Sequence, residues 1–141
     1  AQQAQLQIDA DFVGGDSNDN PDFYKLAGAS AEGSVLINFP TPEILPYPEA
    51  KKYLAAYKTK FQMDPPSIWS VTNADGLRAV IEGVEKTNSF DTKKISDYIR
   101  TMKDFPGITG PFNIREDGER VGAKFVVYKM KNDGTKDVVS E

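Results

Sequence analysis

Two glycines and a carboxylate end an apolar run near the amino terminus, in Phe12-Val13-Gly14-Gly15-Asp16-Ser17. Ligands of α/β proteins bind at the carboxyl ends of sheet strands, and glycines let backbone approach a bound molecule closely. Asp16, with Ser17 beside it, is therefore a candidate site for the ammonium group of a ligand. Taken alone, the segment is better explained as an ordinary strand exit with a solvated aspartate, because turns favour these residue types.

The loop after this run resembles the start of an EF-hand, because oxygen-bearing residues recur at alternate positions. The match fails at the sixth position, where Pro21 replaces the required glycine, and at the twelfth, where Ala27 replaces the bidentate glutamate. No second acidic motif elsewhere in the chain completes a catalytic pair of carboxylates. We therefore expect a solvated acidic loop and no metal site.

Composition excludes several classes of function. The 141 residues contain no histidine and no cysteine, so thiol nucleophiles, Cys/His zinc sites and the most common general base are absent. No phosphate-binding, dinucleotide-binding, serine-hydrolase or metalloprotease motif occurs, and we expect no catalytic residue and no cofactor. The net charge of −4, without a basic run that includes aromatic residues, argues against nucleic-acid binding.

A second candidate site lies where prolines end one predicted helix and Ser67 begins the next. Ser67 could cap this helix or direct its first backbone amides toward a ligand, since helix amino termini attract polar and anionic groups. The residue types leave both roles open. Ile68 follows, and Trp69, the single tryptophan, is interpreted as a core or interface aromatic.

The elements that position these residues follow from apolar spacing and from breaker residues. The continuous apolar run over 34–39 predicts a strand buried on both faces of a parallel sheet. Four prolines in 40–48 exclude a helix interior and a central strand, and they predict a crossover or linker. Further strands are predicted over 10–13, 111–114 and 124–128. Helices are predicted over 1–8 (the end of a longer helix), 22–27, 48–61, 67–86 and after a cap at Asp91.

Two predicted helices have a marked apolar face. The residues of the first face are Ala50, Tyr53, Leu54, Tyr57 and Phe61, and those of the second are Val71, Ala74, Leu77, Ile81 and Val84. Alternation of strands with helices indicates an α/β protein. Because residues 1–8 read as a helix end without a beginning, we expect the chain to be the carboxy-terminal portion of a longer protein.

The order of these segments resembles a known family. The matching pieces are Phe12-Val13-Gly14-Gly15-Asp16, Leu26-Ala27-Gly28-Ala29-Ser30-Ala31-Glu32-Gly33, Pro66-Ser67-Ile68-Trp69, and Gly110-Pro111-Phe112-Asn113-Ile114 before Asp117-Gly118. Over nearly its whole length the chain resembles the carboxy-terminal part of branched-chain amino-acid (Leu/Ile/Val-type) substrate-binding proteins of ABC transporters, in the type I periplasmic binding protein family. The resemblance implies a two-lobed α/β fold with parallel sheets flanked by helices.

The resemblance also implies roles for individual residues. Asp16 takes the position of an acidic residue that binds the ligand's α-ammonium, with a shorter side chain than the glutamate of the compared protein. Ser67 stands where that protein has an aromatic residue of the side-chain pocket, which implies a smaller or more polar pocket. Ser17 and Ile68 are the neighbouring ligand-binding candidates. The groups that hold the ligand carboxylate lie upstream in the family, outside this chain.

Lobe assignment follows from the same resemblance. Residues 1–39 are expected in the second lobe, 40–118 in the first, and 119–141 in a return to the second. Neither lobe would be complete, so exposed apolar surface is expected unless the missing amino-terminal portion of the same protein, or another copy, covers it.

The implied function is that of a solute-binding protein that delivers an amino acid to a membrane permease of an ABC transporter. Its expected location is the periplasm or the extracellular face of the membrane, with a lipid anchor in the full-length protein as an option. The alternatives are a ligand-sensing domain of a receptor or regulator with the same fold, and a stand-alone interaction module. The chain ends at residues 137–141 without a membrane or kinase segment, which favours transport over sensing.

Overall fold

A computed structural model describes residues 2–122 and 124–140, with Pro21 described by its backbone alone. The chain forms two compact units, which we call the first unit (Ala1–Pro40 with Lys124–Glu141) and the second unit (Thr41–Ala123). Both contain helices and strands, so the predicted α/β class is confirmed.

Helices and strands are numbered separately in chain order. The helices are α1 (Gln2–Gln5), α2 (Pro21–Ala27), α3 (Pro48–Phe61), α4 (Ile68–Thr87) and α5 (Thr92–Ile99). The strands are β1 (Val13–Gly14), β2 (Val35–Asn38), β3 (Phe105–Gly107), β4 (Gly110–Ile114), β5 (Arg120–Val121), β6 (Val126–Met130) and β7 (Lys136–Ser140). Short 3₁₀ turns cover Asp16–Asn18, Gly28–Ala31 and Pro42–Ile44.

The first unit is built on a four-stranded sheet in the order β1-β2-β6-β7. β1 and β2 are parallel, with Val13 opposite Val35, whereas β6 is antiparallel to both of its neighbours. The sheet is therefore mixed, and its parallel pair is the one that ends at the Gly14-Gly15-Asp16 segment. The amino-terminal helix is shorter than predicted because Gln7, at φ 52°, ends it; Ala1 lies outside the described residues.

Only one face of this sheet is well buried, which corrects the prediction that the 34–39 strand is buried on both faces. Leu36 and Tyr128 belong to a core cluster against which Phe23 and Tyr24 of α2 pack. Ile37 points to the opposite face and is 43% exposed. The physical reason is that successive side chains of a strand alternate between faces, and α2 packs against one face alone.

The second unit packs α4 and α5 against the antiparallel sheet β3-β4-β5. Its core cluster contains Ala79, Met102, Phe105, Phe112 and Ile114. Helix α3 spans the predicted residues, and Asp91 caps α5 by accepting hydrogen bonds from the amides of Lys93 (2.9 Å) and Lys94 (3.1 Å). Both predictions are confirmed.

The buried face of α4 differs from the predicted one. Leu77 and Ile81 are 61% and 49% exposed, so their predicted inward placement was wrong. The residues of the buried ridge are Ile68, Val71, Asp75, Ala79 and Gly83. Small residues explain this choice, since a Cβ on Gly83 would lie 2.9 Å from the Ile95 side chain of α5. Close helix approach outweighs the greater hydrophobicity of the other face.

Asp75 is the structural centre of this ridge, at 1% exposure. Its carboxylate accepts hydrogen bonds from the backbone amides of Ile108 (2.5 Å) and Thr109 (3.0 Å) and from the Thr109 hydroxyl (2.6 Å). Ile108 and Thr109 form the tip of the β3–β4 hairpin, in which Gly107 pairs with Gly110. The carboxylate thus joins α4 to the hairpin.

Two arginines complete this contact. The Arg78 and Arg120 guanidinium groups lie 3.7 and 4.0 Å from the Asp75 oxygens, and Arg120 also donates to the Thr109 hydroxyl at 2.6 Å. The Arg120 guanidinium stacks 4.1 Å from the centre of the Phe112 ring. Burial lowers the pKa of Arg120, while the neighbouring Asp75 charge acts in the opposite direction. The hairpin is therefore held by a paired and hydrogen-bonded carboxylate.

We expect Asp75→Ala to lower the free energy of unfolding by about 3–5 kcal/mol, because it leaves the buried Ile108 amide and the partly buried Thr109 and Arg120 donors without their partner. Asp97→Ala is the matched control, since its ion pair with Lys93 lies on the exposed face of α5; a loss within about 0.5 kcal/mol is expected there. Urea unfolding followed by far-ultraviolet circular dichroism measures both. Equal losses in the two variants would contradict this role of Asp75.

Candidate functional site

The Gly14-Gly15-Asp16 segment changes from strand to 3₁₀ turn within two residues. Gly15 is extended (φ −95°, ψ −163°) and precedes the turn Asp16–Asn18, which we call the Asp16 turn. The Asn18 amide donates to the Gly15 carbonyl at 3.1 Å, and the Asp19 amide donates to the Asp16 carbonyl at 3.0 Å. Asp16 and Ser17 therefore lie together on one turn at the end of β1, and both are exposed.

Asp16 and Asp19 have different environments. Asp19 accepts hydrogen bonds from Lys136 (2.6 Å) and Asn38 (2.9 Å), and its side chain is only 10% exposed. The Asp16 carboxylate has no hydrogen-bond or ion-pair partner within residues 2–122 and 124–140. Asp16 is thus the carboxylate of the turn that can accept a ligand's proton donors.

The oxygens of the EF-hand-like stretch have structural roles as well. The Asn20 side chain caps α2, accepting from the amides of Asp22 (2.9 Å) and Phe23 (3.2 Å). Across the described part of the chain, no group of three or more acidic side chains is placed to hold a metal ion. Within this stretch, Asn20 caps α2 and Asp19 bonds to two strands of the sheet.

An open, apolar cleft of about 540 Å³ adjoins the Asp16 turn. The residues that line it are Val13, Gly14, Gly15, Asp16, Ile37, Phe39 and Phe125. The Phe39 and Phe125 rings stack with centroids 4.8 Å apart and an interplanar angle of 29°. One carboxylate thus stands beside an apolar wall, a combination that suits a molecule with a cationic group and an apolar part.

Sequence reasoning did not select Ile37, Phe39 or Phe125 for this cleft. The available signal was strand alternation, because Ile37 and Phe39 share one side of the 34–39 run. The pairing of β2 with β6, which brings Phe125 beside Phe39, joins segments about 90 residues apart. Such pairings cannot be read from local patterns.

The second pair of predicted site residues lies at the start of α4. Ser67 occupies the N-cap position in extended conformation (φ −162°, ψ 165°), but its side chain makes no capping hydrogen bond. Its half-buried hydroxyl is therefore not committed to the helix. Ile68 is 4% exposed and belongs to the core of the second unit, whereas Trp69 is 41% exposed and is not a core residue.

Each predicted pair is brought together within one unit. Asp16 and Ser17 lie in the first unit, and Ser67 and Ile68 lie in the second. Their assignment as ligand-binding residues stays a prediction. The structure adds that Asp16, Ser17 and Ser67 have accessible side chains, while that of Ile68 is buried.

A family model described as periplasmic binding protein matches residues 1–135. The chain belongs to the periplasmic binding protein family. A leucine-binding protein from Thermotoga maritima is similar to it over 99% of this chain and 39% of that chain, at 29% identity and a TM-score of 0.84. The predicted type I periplasmic binding protein fold is thereby confirmed, and the chain covers a part of it.

Two other solved relatives show the same fold at lower identity. An ABC transporter substrate-binding protein from Desulfitobacterium hafniense in complex with Leu is 20% identical, with a TM-score of 0.68, over 97% of this chain and 38% of that chain. A solute-binding protein from Rhodopseudomonas palustris BisB5, in complex with 3,4-dihydroxybenzoic acid, is 23% identical. Its TM-score is 0.67, over 99% of this chain and 41% of that chain.

This periplasmic binding protein chain spans about two fifths of the length of these relatives. These relatives are named as a leucine-binding protein, a solute-binding protein of an ABC transporter and an ABC transporter substrate-binding protein. Among the described helices, none has the length and apolarity needed to cross a membrane.

The two glycines before Asp16 provide a matched test of the site's backbone. A Cβ on Gly14 would lie 2.9 Å from the Asn18 amide oxygen and 3.0 Å from the Phe12 ring, whereas one on Gly15 meets nothing within 4 Å. We expect Gly14→Ala to lower the free energy of unfolding by about 1–3 kcal/mol through overpacking. Gly15→Ala should leave it unchanged. Thermal unfolding measures the difference, and a Gly15→Ala variant as unstable as Gly14→Ala would refute this account.

Ser67 and Asp91 provide a second matched pair, because both occupy N-cap positions and only Asp91 makes the capping bonds. We expect Asp91→Ala to cost about 1 kcal/mol of stability, as is usual for loss of a helix cap. Ser67→Ala should leave stability unchanged. Urea unfolding distinguishes the two, and a comparable loss at Ser67 would show that its hydroxyl does cap α4.

Proposed function

We propose that this chain is part of a solute-binding protein that binds an amino acid and delivers it to the permease of an ABC transporter. The observation that carries the proposal is the Asp16 carboxylate, which has no partner among the described residues and stands beside an apolar cleft at the end of a sheet strand. A ligand ammonium group would form a charge-assisted bond with it, and such a bond contributes about 1.5–3 kcal/mol.

The charge of Asp16 favours an amino acid over a simple aromatic acid. The Rhodopseudomonas palustris relative is described with 3,4-dihydroxybenzoic acid, a ligand that has a carboxylate and no cationic group. Such a ligand would gain nothing from Asp16, since like charges repel. The relatives described with leucine or Leu have a ligand that carries an ammonium group, which suits Asp16.

Ser67 is proposed to contact the ligand's side chain. Its hydroxyl makes no cap bond, so it can serve another partner. A serine at this position leaves more room than an aromatic residue and offers a hydrogen bond. We propose a branched-chain or similar amino acid as the ligand, with a small or polar side chain tolerated. Ser17, beside Asp16, and Ile68, beside Ser67, are retained as proposed neighbours of the ligand.

The rest of the same protein is the proposed partner of the apolar surface that the first unit exposes outside the cleft. Leu6, Ile8 and Leu26, which do not line the cleft, are 70%, 53% and 80% exposed, and soluble proteins usually cover such apolar surface. We propose that residues 1–39 and 119–141 belong to the second lobe of the full-length protein and 40–118 to the first. Ligand binding would close the lobes, and the permease would recognise the closed form. The proposed location is the periplasm or the extracellular face of the cell membrane.

We expect Asp16→Asn, in the full-length protein, to weaken amino-acid binding by about 10-fold to 150-fold, which corresponds to losing a charge-assisted bond. Isothermal titration calorimetry with L-leucine, L-valine, L-threonine and benzoate measures the affinities. Benzoate is expected to bind the wild type weakly and to gain affinity in Asp16→Asn, because a repelling charge is removed.

Asp22→Asn is the control for this experiment. Asp22 is an exposed acid in the first turn of α2, so this variant removes the same charge six residues away from Asp16. Its amino-acid affinity should equal that of the wild type. An Asp16→Asn variant with unchanged amino-acid affinity would refute the proposed function.

A further inference from the structure

We propose that Asp19 and Lys136 form an anchor that positions the Asp16 turn for ligand binding. The inference rests on the proposed function, since it concerns how the same site is held. Asp19 follows the turn directly, and Lys136 lies on β7, 117 residues later in the chain. Asn38 at the end of β2 is the third member of the anchor.

The anchor is a partly buried ion pair with several partners. The Lys136 ammonium lies 2.6 Å from one Asp19 oxygen, and the side chains are 22% and 10% exposed. The same ammonium lies 4.1 Å from the centre of the buried Tyr128 ring. Asn38, itself 3% exposed, donates to Asp19 at 2.9 Å. Charge-assisted bonds of this kind are stronger and more directional than exposed ion pairs.

The other polar contacts of the Asp16 turn within the described part of the chain are local. The Asn18 and Asp19 amides bond to carbonyls three residues earlier, and the Asn20 side chain donates to the Ser17 carbonyl at 2.7 Å. These bonds fix the shape of the turn, and Gly15 joins its first residue to β1. Asp19 supplies the hydrogen bonds that join the other end of the turn to β2 and β7, so it fixes the orientation of the turn, and with it the Asp16 carboxylate, relative to the sheet.

The anchor also neutralises one of two neighbouring negative charges. Asp16 begins the turn and Asp19 follows it directly, so the two carboxylates are three residues apart. Lys136 neutralises Asp19, and Asp16 is left as the carboxylate with net charge for a cationic group. A binding group must be held within a fraction of an ångström to act at full strength, so loss of the anchor should weaken binding through Asp16 without removing Asp16.

The test is a double-mutant analysis in the full-length protein, with the tightest binder among L-leucine, L-valine and L-threonine as the probe. We expect Asp19→Asn to lower affinity about 10-fold in the wild type, and to have no further effect in the Asp16→Asn background. A merely structural role would lower affinity to the same extent in both backgrounds. That result would overturn the proposal.

Substitutions of Lys136 on β7 test the same ion pair with Asp19. Lys136→Met should lower affinity as Asp19→Asn does, and the double variant should be no weaker than either single one. Lys136→Arg keeps the charge and the donors, so it should retain most of the affinity. These variants keep the test decisive if Asp19→Asn does not fold.

A matched control removes another ion pair from the same strand. Lys131 Nζ lies 2.8 Å from Asp137 Oδ1, and both side chains are exposed. Asp137→Asn should leave the amino-acid affinity unchanged. Loss of affinity in Asp16→Asn without loss in Asp19→Asn or Lys136→Met overturns the positioning role alone. Unchanged affinity in Asp16→Asn overturns the proposed function itself.

Discussion

The cost of burying a carboxylate organises both units of this chain. A carboxylate removed from water is stable only when cations and hydrogen-bond donors replace its hydration shell. In the second unit, Asp75 accepts hydrogen bonds from two backbone amides and a hydroxyl, and these bonds join α4 to the β3–β4 hairpin. In the first unit, Asp19 accepts hydrogen bonds from Lys136 and Asn38, and these bonds join the Asp16 turn to β7 and β2. In each case the polar contact joins elements that are far apart in the sequence.

Local patterns predicted the elements whose signals are local. The span of α3 and the cap of α5 follow from apolar spacing, from Pro48 and from Asp91, all of which act within a few residues. Phe105-Pro106-Gly107 contains two residue types that usually interrupt regular structure, yet it forms β3. Proline is acceptable there because β3 is an edge strand that pairs on one side. Nothing in those three residues reveals their partner strand.

Burial was harder to predict than secondary structure. The sequence favours Leu77 and Ile81 as core residues of α4, but close approach of α5 to Gly83 turns a different ridge inward. Asp75 was missed because hydropathy assigns a carboxylate to the surface. At the candidate site, Asp16 and Asp19 look equivalent in the sequence. Their difference depends on Lys136, whose position is set by the pairing of β7 with β6.

The position of Trp69 has an optical consequence. Indole emission shifts with the polarity of its surroundings, and this chain has one tryptophan, which directly follows Ser67 and Ile68 and is 41% exposed. The six tyrosines can be avoided by exciting at the red edge of the absorption band. Any event that changes the solvent exposure of the first turn of α4 therefore shifts the emission wavelength of Trp69, and it can be followed without a label and without a change to the chain.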